Sequence, residues 1–320
     1  MKTNIKVSIV IPNFNKGEWI SETLESILDQ SYSRIEVVIV DDGSTDNSLE
    51  VIGRFCNRYE NFKLIERERK PKGGSTCRNI GLEVSKGDYI LFLDSDDLIT
   101  PECIENRVLY IVNNKVDFAV FNTGTFYKVI GDSSLRWIVP KGNHLEMFLS
   151  HDLPWNISSV LWKKVALDSL NGFNEDFVRL QDVELHTRAL IAKLNYKVAE
   201  NKAQDFYYRI NPNRYLDDQE ILLINKLKGI NKYISYFENN LIENRKYLKG
   251  TAISVYKDVL YFYNGKTIDN RIINTILARN FKSNTKLENL VLAIYRRMFS
   301  LGFSKIKGFN FLFKRAFIYI

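Results

Sequence analysis

The stretch at 87–97, GDYILFLDSDD, runs from a turn residue through a mostly apolar segment into three aspartates within four positions. Carboxylates that close repel, and each raises the pKa of the other. A positive partner relieves that repulsion, and three acids on one turn favour a divalent cation with oxygen ligands. Mg²⁺ and Mn²⁺ bind through one or two carboxylates and complete their shells with water and substrate phosphates. Asp94, Asp96 and Asp97 are therefore the expected metal ligands, with Ser95 between them, and a diphosphate is the expected remaining ligand. A second acidic pair, Asp41-Asp42, opens the turn DDGS and suits hydrogen bonds from a nucleoside base or ribose. The segment KPKGGSTCRNIG adds Lys72, a Gly73-Gly74 turn and Arg78 near a helix start, where backbone N–H groups and a cation suit phosphate. Taken singly, each has a plainer meaning: a D-x-D is a solvated turn, Asp-Gly-Ser a turn signal, Gly-Gly a loop. Their joint position on the chain is what points to a site.

That position follows from the surrounding elements. VSIVIP (7–12) and IEVVIVDDGS (35–44) are β-branched apolar runs ending in turn or acidic residues. Between them, residues 18–30 carry Ile20, Leu24, Ile27 and Leu28 at helical spacing. A helix follows STDNS, with Asp46 as the expected N-cap. NFKLIE is a short strand, 75–85 a helix and YILFLD a strand. A helix then starts with Thr100 as N-cap and Pro101 at its first position, and 116–122 is another strand. Strands of this kind alternating with helices predict an α/β fold with a mostly parallel sheet covered on both faces. Ligands bind beyond the carboxyl ends of such strands. Three strand ends then present polar residues to one edge: Pro12-Asn13-Phe14-Asn15, Asp41-Asp42-Gly43-Ser44 and Asp94 to Asp97. Further on, 171–194 begins as a loop and becomes helical near Gln181, with Val183, Thr187, Leu190, Ile191 and Leu194 along one face. From about 215 the pattern is helical.

The segments VSIVIPNFNKGEWISETLESILDQSY, EVVIVDDGSTDNSLEVI, GGSTCRNIGLEVSKGDYILFLDSDD, PWNISSVLWKK and NGFNEDFVRLQDVEL cover about residues 5–200. In that order they resemble glycosyltransferase family 2, the nucleotide-sugar enzymes of the GT-A fold. The resemblance implies a Rossmann-like GT-A catalytic domain over 1–210, with a nucleotide-sugar half to about 125 and an acceptor half over 126–210. A helical C-terminal region would fill 211–320. It implies inverting transfer of a sugar from a nucleotide diphosphate, most often UDP, assisted by Mn²⁺ or Mg²⁺. The acceptor would be a hydroxyl of a glycan or lipid-linked oligosaccharide in bacterial surface-polysaccharide synthesis. By position, Pro12 and Phe14 would line the base pocket, Asp41 would contact the base, and Arg78 would lie near base or phosphates. Asp94 and Asp96 would be the D-x-D acids, Ser95 between them would belong with them to the nucleotide-sugar site, and Asp97 would be able to share the metal. The family's catalytic Glu-Asp pair falls on Gln181-Asp182, so Asp182 would be the base, and Gln181 departs from the pattern in the acceptor region. Trp155 and Asn156 begin the family's Trp-Asn segment, and the Trp155 ring suits the floor of an acceptor sugar or a place in the core. Glu184 is the second choice of base, Glu175-Asp176 a decoy one loop too early, and His186 lies one turn below Asp182.

Composition narrows the alternatives. With 45% hydrophobic and 26% charged residues the 320-residue chain is an ordinary globular one. Cys56, Cys77 and Cys103 have no metal-ligand spacing, which suggests a reducing compartment. The apolar run in MKTNIKVSIVIPNFN is too short for a secretory signal, and no run reaches the roughly 18 residues of a membrane span. The expected location is the cytoplasm, with peripheral attachment to the inner face of the cell membrane. The net charge is +7, and after Glu288 the chain has six basic residues and no acid. That basic, aromatic end fits either a membrane surface or a helical cap on the protein. No nucleic-acid-binding module accompanies it. A nucleotidyltransferase on a similar sheet would carry a Gly-rich basic loop after the first strand, and PNFNKGEW is a poor example. A binding protein that has lost catalysis would show decay near Gln181.

Overall fold

A computed structural model of the chain describes residues 4–200, 203–211, 219–241, 243–262 and 285–320. Of the region read as helical, 212–218, 242 and 263–284 lie outside the described residues. The chain divides into two compact units, Met1–Lys141 with Pro154–Pro212, and Gly142–Leu153 with Asn213–Ile320.

In chain order the strands are β1 (Val7–Asn13), β2 (Ile35–Asp41), β3 (Phe62–Glu66), β4 (Tyr89–Phe92), β5 (Leu98–Ile99), β6 (Phe118–Val120), β7 (Thr123–Phe126), β8 (Arg136–Trp137), β9 (Val160–Lys163), β10 (Tyr196–Val198) and β11 (Phe206–Arg209). The main sheet has the order β10-β6-β9-β4-β1-β2-β3. It is parallel except for β9, which runs antiparallel to both β4 and β6. The sequence reading missed β9 as a strand: Val160–Trp162 is only three fully buried residues, too short for an alternation to register. β5, β11, β7 and β8 form a second sheet.

Helices α1 (Ile20–Leu28), α2 (Ser48–Arg58), α3 (Gly74–Val84) and α4 (Cys103–Asn114) link the first strands. Side chains alternate across a strand, so each strand feeds two cores. Ile9 and Ile11 of β1 and Val37 and Ile39 of β2 face one core with Leu24 of α1, Ile52 of α2 and Val108 of α4. Val38 and Val40 face the opposite core with Cys77 of α3. The helix α3 lies close to the sheet because position 81 is glycine: a Cβ there would stand 2.2 Å from Val10 Cγ1. Two expected caps are shifted. Asn47, not Asp46, precedes α2, and Asp46 uses its carboxylate to accept from the N–H groups of Ser48 (3.0 Å) and Gly17 (2.8 Å). α4 starts at Cys103, where Thr100 serves through its carbonyl rather than its side chain.

The second unit is helical. It contains His144–Leu149, Gln219–Asn240, Gly250–Phe262, Lys286–Ser300 and Phe309–Tyr319. Asn143 caps the first of these, and a reciprocal Thr285–Glu288 capping box starts the fourth. Tyr295 sits at the centre of this unit, 5.2 Å from the Phe309 ring and 5.8 Å from Tyr256.

Candidate active site

β1 and β2 pair in register with Asn13 opposite Asp41, so their loops leave the sheet together. Asp41 is buried, and the loop itself saturates its carboxylate. Oδ1 accepts from the N–H groups of Gly43 (2.9 Å) and Ser44 (2.7 Å), and Oδ2 accepts from Asn13 Nδ2 (2.8 Å) and the Ser44 hydroxyl. The acid expected to touch a base thus braces the β2 turn, as an aspartate at a turn start does when it bonds its own backbone. Its neighbour Asp42 is ion-paired with Arg67. Asn15 and Lys16 stitch the β1 loop to the β2 loop through Ser44 (2.9 Å) and Ser48 (2.9 Å). Pro12, opposite Val40, is half-buried within β1. Phe14 is 47% exposed, with the Lys72 ammonium 5.2 Å from its ring centroid. Two segments singled out separately thus meet at this edge.

The aspartates after β4 diverge. Asp94 Oδ1 accepts from Arg78 Nη2 at 2.6 Å, and Asp96 Oδ2 is paired with the Lys16 ammonium. Asp97 is buried and points down, accepting the Arg209 N–H at 2.9 Å. Burial, then Asp96 and Asp94, push its carboxyl well above the usual range, against the Arg209 N–H and Lys16. Ser95 is buried within the same turn. Among the described residues, no group of three or more His, Cys, Asp or Glu side chains gathers for a metal, and the carboxylates of Asp94 and Asp96 each meet a basic side chain. Successive side chains in a tight turn take different directions, and Asp97 is used to hold the second sheet beneath the turn. Arg209 completes that anchor. Its Nε donates to the Asp96 carbonyl (2.8 Å), its Nη2 to Glu22 (2.7 Å), and its guanidinium lies over Trp19 and Phe126.

Gly73 starts α3 at φ +130°, a backbone that favours glycine. One turn on, Arg78 is buried against Phe173, 5.6 Å from its ring. Only its Nη2 is bonded; Nε and Nη1 have no hydrogen-bond partner among the described residues. Desolvated guanidinium donors beside a helix N-terminus suit a phosphate or carboxylate. The Gln181–Ile191 helix abuts the same turn: Ser75 Oγ donates to Gln181 Oε1 at 2.7 Å. Leu180, just before it, holds a left-handed φ of +59°, a strained conformation for a leucine. Asp182 is half-buried in the first turn. Burial raises its carboxyl above the usual range, and Asp94 adds to this, while Arg78 and the Val183 N–H oppose it.

Other acids and rings near this helix are bonded or packed within the fold. Glu184 is fully buried and paired with Arg188, so it is not an alternative base. Glu175 bonds Arg69 (2.7 Å) and Asn79 (2.9 Å), which ties the 171–177 loop to α3. Trp155, offered as a sugar floor, is 1% exposed and packs edge-on to His186, which stacks on Trp162. Burial drops the His186 pKa to about 3. The helix bearing Asp182 is an interior one, so residues one turn below the base become core. Sequence reasoning missed Lys16 and Arg209. Lys16 sits in the loop after β1, and a basic residue there was the available signal; Arg209 comes 112 residues after Asp97, and no local spacing links them.

A mixed sheet of this order, with nucleotide-type loops at its carboxyl edge, defines the GT-A class. The chain belongs to glycosyltransferase family 2: the model of "Glycosyl transferase family 2" matches residues 8–160. It is 31% identical over 238 residues to the poly(ribitol-phosphate) beta-N-acetylglucosaminyltransferase TarP of Staphylococcus aureus, covering 72% of this chain and 69% of that one. It is 36% identical over 116 residues to the glycosyltransferase GlyG of Streptococcus pneumoniae, 36% of this chain and 38% of that one. The first curated relatives are matched over only 38% to 43% of their own length. Among solved structures, S. aureus TarS 1-349 in complex with UDP superimposes with a TM-score of 0.63 at 19% identity, over 98% of this chain and 88% of that one. The mannosyltransferase PcManGT of Pyrobaculum calidifontis, in complex with GDP-Man and Mn²⁺, gives 0.57 at 16% identity, over 99% and 86%. These superpositions carry the fold.

Proposed function

We propose that the chain transfers a sugar, with inversion, from a UDP-sugar to a hydroxyl of a bacterial surface glycan or its lipid-linked precursor. The observation that carries this reading is the position of Asp182: it stands in the first turn of a helix that Ser75 and Gln181 tie to the start of α3, the helix whose Arg78 is paired with Asp94. In the proposed step the acceptor oxygen attacks the anomeric carbon, the bond to the diphosphate oxygen breaks, and Asp182 takes the hydroxyl proton. Arg78 offers the N–H groups of its unbonded Nε and Nη1 to the diphosphate, and Phe14 with Lys72 borders the nucleoside. Gln181, held by Ser75, fixes the first turn that carries the base.

The acids fit a divalent cation in number if not in threes. Asp94 and Asp96 each have one carboxylate oxygen bonded to a basic side chain and one without a protein partner among the described residues. Hard oxygens from one or two carboxylates suit Mg²⁺ or Mn²⁺. Bound there, the ion supplies charge to the leaving diphosphate. TarP and the UDP-bound TarS support a uridine donor and a polyol-phosphate or related glycan acceptor. Thermal stabilisation by a panel of nucleotide sugars, with and without Mn²⁺, tests the reading. UDP-sugars should raise the melting temperature of wild type, with loss of the metal-dependent part in Asp96→Ala; an unchanged metal-dependent shift in that variant contradicts the assignment.

A further inference from the structure

The C-terminal helices turn one face inward and leave another bare. Leu292, Tyr295, Phe299, Phe309 and Phe317 are buried within the second unit, which accounts for half of the aromatic residues as a cap. Of the others, Phe313 packs on Tyr295 and Phe309, while Phe303, Phe311 and Tyr319 are exposed. On Lys286–Ser300 and its C-cap, Leu287, Leu290, Ile294, Arg297 and Leu301 fall within an arc of about 80° at 100° per residue, and all are exposed. On Phe309–Tyr319, Phe311, Leu312, Arg315 and Tyr319 do the same within about 100°. Between the helices Phe303, Lys305, Ile306 and Lys307 are exposed too. Ten of the 22 exposed large hydrophobic residues of the described chain lie in 287–320. Four exposed cations, Arg297, Lys305, Lys307 and Arg315, accompany them, and the one acid, Glu288, is buried and paired with Lys249 at 2.7 Å.

We propose that this face docks on an anionic lipid surface, with the helices lying in the headgroup plane. Amphipathic helices with Leu and Phe flanked by Lys and Arg, and without acids, partition to such surfaces through apolar burial and attraction to anionic headgroups. No described helix is long and apolar enough to cross a bilayer. Pairing with a second copy would set cations against cations, which disfavours a two-fold contact through this face. On this face the aliphatic Leu287, Leu290, Ile294, Leu301, Ile306 and Leu312 outnumber the aromatic Phe303, Phe311 and Tyr319, and aliphatic area gains from acyl chains rather than from stacked bases.

Flotation of the full chain with phosphatidylglycerol/phosphatidylcholine vesicles, against phosphatidylcholine alone, tests this independently of any transfer activity. Wild type floats with the anionic vesicles and releases as salt rises. The variant Lys305→Glu/Lys307→Glu/Arg315→Glu loses about 100-fold in partitioning, and Phe311→Ser/Leu312→Ser loses binding while keeping its melting temperature, since both positions are exposed. Three results would overturn the proposal: no flotation of wild type at low salt, unchanged flotation of the triple charge variant, or a concentration-dependent oligomer in sedimentation velocity that dissociates in Phe311→Ser/Leu312→Ser.

Discussion

At the residue scale, environment separates aspartates that look alike in the sequence. Asp41 and Asp97 are bonded from within the fold, whereas Asp94, Asp96 and Asp182 keep oxygen atoms or partial exposure toward the strand ends. Because the Asp182 carboxyl is raised, the acid limb of a transfer–pH profile at saturating donor should lie above the roughly pH 4 of an ordinary aspartate. Arg78 opposes that shift, so Arg78→Gln should move the limb further up; a limb that stays put in this variant means that the two groups do not communicate. Glu184 gives the contrasting expectation. Replacing it with alanine leaves the Arg188 guanidinium without its carboxylate and should cost about 3 kcal/mol in urea unfolding. UDP affinity of the folded protein should be unchanged.

At the element scale, the close approach of α3 to β1 sets where Arg78 stands. Gly81→Ala would force a methyl into Val10 and should destabilise by about 1–3 kcal/mol. Adding Val10→Ala should return part of that loss, and additive penalties in the double variant would contradict the contact. The first half of this architecture was legible in the sequence. Runs such as VSIVIP and IEVVIV are long enough to read, and the polar residues following them mark the strand ends. What stayed hidden was non-local. β9 is short and gains its identity only by pairing with β4 and β6, and Arg209 reaches the aspartate turn from a strand far along the chain. Direction was hidden too: DSDD announces three carboxylates, but only the turn geometry sends Asp97 into the protein and Asp96 toward Lys16.

At the scale of the whole molecule, burial of His186 links stability to pH. Its folded-state pKa of about 3 lies below the unfolded value near 6.5, so the unfolded chain binds a proton that the native one does not. This contribution is complete above about pH 6.5 and is lost as pH falls toward about 3. Urea midpoints should therefore drop between neutral pH and about pH 5 with net proton uptake on unfolding, and a flat profile would mean that the ring is already protonated in the fold. The account as a whole depends on strand-end loops that bind a nucleotide sugar and deliver it to one base. Sugar transfer and UDP binding measured side by side on wild type and Asp182→Asn test that most directly. The expected result is a loss of about 10²–10⁴ in transfer rate with UDP affinity retained; transfer at the wild-type rate in Asp182→Asn would contradict it.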